Sequence, residues 1–142
     1  MSSQSDGREA QVLALQGPLP ALAVWSGAVI GASSLAVSGL LHIHLWMAGY
    51  QNVPIIGILF IVQGILALVF AAAVLLWRYP LVFFAASLYL LATVAGLLVS
   101  VYFGLFGFRD SFAAPYAKES VVVELVGALA LGTMSLLTRR RR

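Results

Sequence analysis

Four apolar stretches, at about 21–47, 54–77, 80–105 and 116–138, decide what this chain can become. The first three contain no Asp, Glu, Lys or Arg at all. Crossing a hydrocarbon core of about 30 Å takes roughly 20 apolar residues in a helix, and each stretch has that length. In lipid every backbone N–H and C=O must find its partner inside the protein, and a single short segment does that only as a helix. The connections are short, so an all-α, four-helix transmembrane bundle running up-down-up-down is the expected fold. Composition agrees. Only 9% of the residues are charged, against about 25% in a soluble domain.

The same reading divides the chain into a tail at 1–19, a transmembrane domain at 20–138 and a basic tail at 139–142. Ser5 or Asp6 can cap a short interfacial helix over 7–16, but an isolated helix that short is marginal in water, and an unstructured tail is the simpler expectation. Ala36 and Ser38 stand at the spacing of a signal-peptidase site. The preceding apolar run is longer than a signal core of about 7–15 residues, so a retained span is expected. With four spans, Arg8, Arg78 and the four arginines at 139–142 share one side, opposite Arg109 and Lys118. The positive-inside rule then puts both termini in the cytoplasm. Trp25, Trp46, Trp77, Tyr50, Tyr79 and Tyr116 fall near span ends, as an aromatic belt requires. The arginine cluster lacks interleaved aromatics and reads as a membrane-surface feature, so the lipid bilayer is the expected partner and nucleic acid is not.

Small residues recur at helical spacing. Ala92, Gly96, Ser100 and Gly104 form a ladder on the third span, and Gly27 and Gly31 stand with Ala28, Ala32 and Ala36 on the first. Such ladders let helices approach closely, either within the bundle or against another subunit. A homo-oligomer, or a place in a larger membrane complex, is therefore an open expectation.

Polar side chains inside the spans are expensive and mark function or buried pairing. At 1.5 Å per residue, His42, Gln63 and Glu124 all lie roughly 10–13 Å from the outer ends of three different helices. Ser100 and Thr93 bracket the same layer from the third. His42, Gln63, Glu124 and Ser100 form the candidate intramembrane site, with His42 the expected partner of Glu124. His44, Tyr50, Arg109 and Asp110 form a candidate outer rim. His42 and His44, two residues apart, point to opposite faces of a helix, about 200° apart. They cannot grip one metal together, whereas helical zinc sites use an i, i+4 pair. Three accounts of the histidines stay open: packing with interfacial snorkelling, a proton or ligand site, and a metal or haem shared between chains. Asn52 is the expected cap of the second helix, and Glu119 suits the positive end of the fourth. Arg109 beside Asp110 reads first as a surface ion pair.

Other chemistries drop out. Without cysteine there is no disulfide, thiolate metal site or cysteine nucleophile. There is no glycine-rich phosphate loop and no dense carboxylate cluster. Five acidic residues leave little material for acid–base catalysis.

The stretch HIHLWMAGYQNVPIIGILFIVQG, with the later GLFGFRD and the glutamate of VVVELVGALAL, resembles a group of small actinobacterial integral membrane proteins. The resemblance covers about 38–131 and implies four spans in a bacterial plasma membrane. It carries no activity, and the cofactor stays unknown. Gln51 stands where that group often has a basic residue, which weakens any headgroup-binding role for this turn. The leading functional expectation is a non-enzymatic subunit or self-associating membrane protein. The alternatives are a small transporter or ligand-binding protein with a protonatable site at His42 and Glu124, and a redox protein associated with haem or quinone.

Overall fold

A computed structural model describes residues 18–140. The readings for the N-terminal tail, and Arg141 and Arg142, lie outside the described residues. Four long helices follow in order: α1 (Pro18–Ala48), α2 (Ile56–Leu76), α3 (Pro80–Tyr102) and α4 (Ala117–Arg139). All four are long and apolar enough to cross a membrane. Among the described residues the only extended pairing is a single bridge, Leu105 to Phe108.

The helix ends follow from local chemistry. Pro80 opens α3 at its first turn, after Tyr79 in extended conformation, where the missing proline N–H costs nothing. α3 stops at Tyr102, three residues before the end of the apolar stretch, because Gly104 turns left-handed at φ 83° and caps Val99 and Ser100. Phe106 and Gly107 then take positive φ in succession and fold the chain back so that Leu105 and Phe108 pair. Asn52 does not cap α2. It sits in a short 3₁₀ turn, Tyr50–Asn52, and the residue before α2 is Ile55, with no side-chain cap. Glu119 lies in the first turn of α4, as its charge favours.

Packing is uneven around the bundle. α1 and α4 run antiparallel in close contact. A methyl group added at Gly27 would strike Met134, one at Gly31 would strike Leu131, and one at Gly127 would strike Ser34. α1 crosses α2 at Gly39 and Gly64, where each added Cβ would meet the other's carbonyl at about 3 Å. α3 is tied to α4 by Ser87 Oγ donating to the Ala128 carbonyl at 2.8 Å and by Ser135 Oγ donating to that of Pro80 at 2.9 Å. Leu35, Val74, Phe83, Leu90 and Leu131 are fully buried. In contrast, α2 and α3 are consecutive yet touch far less than the other neighbouring helix pairs. Their link is Tyr89, whose hydroxyl donates to the Gln63 carbonyl and whose ring centroid lies 5.0 Å from that of Phe70.

The ends are marked by charge. Arg78 lies over the Trp25 ring at 4.1 Å and Arg139 over Phe84 at 5.3 Å, both at one end. Arg109 and Lys118 belong to the connection and helix start at the other.

Candidate functional site

Where α2 and α3 part, a cavity of about 320 Å³ opens toward the end formed by the 3₁₀ turn and the α3–α4 connection. Its depth is set by helix register. Glu124 is the eighth residue of α4 and Gln63 the eighth of α2, each roughly 10 Å from its helix start. His42 arrives from the last turns of α1, and Thr93 and Ser100 from the second half of α3. The structure thus brings His42, Gln63, Ser100 and Glu124 to one space, joined from the rim by Tyr50 and Asp110.

Glu124 is 1% exposed. Its Oε1 accepts a hydrogen bond from Ser38 Oγ at 2.7 Å. The expected partner, His42, does something else. His42 Nδ1 lies 2.8 Å from the Ser38 carbonyl, one turn back on its own helix. A carbonyl only accepts, so Nδ1 carries the proton, and Nε2 of the neutral ring keeps its lone pair. Ser38 therefore serves both residues, one through its side chain and one through its main chain. A short serine thus reaches the carboxyl across the tight α1–α4 seam.

The remaining hydroxyls are largely committed inside the protein. Thr93 Oγ1 donates to the Leu90 carbonyl at 2.7 Å, and Ser120 Oγ to that of Ala117 at 3.1 Å. Ser100 Oγ accepts from the Asp110 N–H at 3.2 Å, which pins the connection over the cavity. Aromatic rings roof the space. Tyr50 stacks on Phe60 with centroids 4.4 Å apart, Phe60 lies 5.2 Å from the His42 ring, and Phe108 meets Tyr50 edge-on. Burial pushes the Tyr50 hydroxyl up from the usual tyrosine value, and the facing Asp110 carboxylate adds to the rise.

Two rim residues stand elsewhere. His44 is exposed, with its ring edge-on to Tyr116, on the other side of α1 from His42, as helix geometry requires. Arg109 makes no ion pair with Asp110. Its guanidinium donates to the carbonyls of Val101 and Tyr102 at 3.1 and 2.7 Å, closing the end of α3. The small-residue ladder of α3 is likewise no packing face within the bundle. Ala92, Gly96 and Ser100 line the cavity, a Cβ at Gly96 would meet nothing within 4 Å, and Gly104 belongs to the turn. Sequence reasoning passed over Ser38 and Tyr89. The signal for Ser38 was available: it lies one turn before His42, on the α1 face that carries the small residues.

No group of three or more metal-ligating His, Asp or Glu side chains occurs among the described residues. Comparison with protein-family models, with curated proteins and with solved structures finds no match.

Proposed function

We propose that this chain is a multi-pass protein of a bacterial plasma membrane, with both termini cytoplasmic, that binds a small molecule between α2 and α3. The carrying observation is the cavity itself. Its volume of about 320 Å³ falls within the range of ligand sites, about 300–1,000 Å³. Its wall is mainly apolar, with a few convergent polar groups drawn from all four helices and two connections. A passive packing subunit has no need of a gap with a carboxyl group, an imidazole and an amide around it. The basic residues favour the same orientation, with Arg78 and Arg139 at one end and the cavity near the other, the outer side.

The small side of the cavity gives the test. Gly96→Leu places a side chain into open space, with no Cβ clash to resist it. Wild type and this variant are purified gently from the same membranes, and the small molecules each carries are compared by mass spectrometry. The wild type is expected to carry a species that the filled variant lacks. Identical small-molecule content in the two proteins overturns the reading.

A further inference from the structure

We propose that the ligand is a small lipophilic organic cation, an amine or quaternary ammonium group on an apolar body. This rests on the reading of the cavity as a ligand site and adds its chemical class.

The first argument is charge. Glu124 and Asp110 line the cavity, and no lysine or arginine does. The nearest guanidinium in sequence, that of Arg109, is bound to the end of α3. Lys118 is exposed and is not part of the wall. An anion would meet carboxyl groups and no fixed positive charge, whereas a cation would meet carboxyl oxygens in surroundings that weaken water's screening.

The second argument is hydrogen-bond polarity. Of the hydroxyls on the cavity wall, those of Tyr89, Thr93 and Ser120 direct their protons to protein carbonyls. His42 does the same with Nδ1–H. What these groups can still offer a ligand is lone pairs: hydroxyl oxygens and the imidazole Nε2. Gln63 can supply either polarity. A ligand that presents only carbonyl acceptors, such as a quinone, would have to compete with protein carbonyls for three of the wall's hydroxyl protons. One that presents N–H donors or a diffuse positive charge fits the lone pairs.

The third argument is the wall. Tyr50, Phe60, Tyr89 and Phe108 border the space. Aromatic faces attract cations and accept quaternary ammonium groups that cannot hydrogen-bond. Leu41, Leu59, Val62 and Leu66 supply apolar surface for the rest of the molecule. An inorganic ion needs neither the volume nor the apolar lining.

The test uses two isosteric probes, phenyltrimethylammonium and neutral tert-butylbenzene, with benzenesulfonate as the anion. Binding to the full chain in mild detergent is measured by titration calorimetry for wild type, Glu124→Gln, Asp110→Asn and Gly96→Leu. A glutamine oxygen can still accept from Ser38, and thermal unfolding checks that each variant is folded. The cation is expected to bind at least about tenfold more tightly than its neutral isostere, with no binding of benzenesulfonate. Glu124→Gln should weaken the cation about tenfold and leave tert-butylbenzene unchanged, with a smaller loss for Asp110→Asn. If the neutral probe binds as tightly as the cation, and Glu124→Gln alters neither, the charge class is overturned while the cavity reading survives. If no probe binds, or Gly96→Leu leaves binding intact, the cavity reading itself fails.

Discussion

The α1–α4 seam and the α2–α3 face are built from similar residues and do opposite things. Along the seam, Gly27, Gly31 and Gly127 let α1 and α4 close until no methyl group fits between them. On the other face, Ala92, Gly96 and Ser100 stand at the same four-residue spacing, and nothing closes on them. A glycine permits close approach; it does not supply the neighbour. In lipid, where apolar surface gains little by leaving the hydrocarbon, contact is won by backbone proximity and hydrogen bonds. Ser87 and Ser135 provide these between α3 and α4. Across α2–α3 only Tyr89 bridges by hydrogen bond, and the gap beside it becomes the cavity.

The contrast can be broken from either side. The largest effect is expected at the seam: Gly31→Leu should cost about 3 kcal/mol, or prevent assembly, because Leu131 has no room to retreat. Thermal unfolding in detergent checks it, and an unchanged transition would show that the seam is looser than described. Ser38→Ala comes next. It removes the hydroxyl that reaches Glu124, and leaving that carboxyl short of a donor should cost about 1–3 kcal/mol in the same measurement. Arg109→Ala frees two carbonyls at the exposed end of α3 and should cost about 1 kcal/mol or less. Hydrogen exchange should locate the loosening at 101–103 and leave the core untouched. Smallest is Gly96→Ala, expected to be neutral or to stabilise by up to about 1 kcal/mol, the ordinary helix preference of alanine over glycine. A clear loss there would mean that α3 is packed at Gly96 after all.

Much of this architecture is legible in the sequence, and the limits are physical. Apolar length alone announces four helices, because lipid leaves so few alternatives. Counting rise per residue puts His42, Gln63 and Glu124 in one layer, and the 100° helical step separates His42 from His44. Neither count says which helices touch. The α3 ladder reads the same whether it faces a neighbour or a void, so its role at the cavity wall was not visible. The partner of Glu124 was missed for a related reason. Chemical complementarity favoured histidine, but the geometry of a tight seam favours a side chain as short as that of Ser38. The end of α3 was placed late because Leu105 and Phe106 are as apolar as the helix before them, and only the left-handed turn at Gly104 stops it.

The absence of cysteine from the chain makes the central contrast directly measurable. Single cysteines at Gly96, on the cavity wall, and at Ser87, in the α3–α4 contact, can be exposed to a small methanethiosulfonate reagent in native membranes. Gly96→Cys is expected to react and to be slowed by phenyltrimethylammonium, while Ser87→Cys stays unmodified in the folded protein. Equal protection of both positions, or equal reactivity, would contradict an open α2–α3 cavity beside a closed α3–α4 contact.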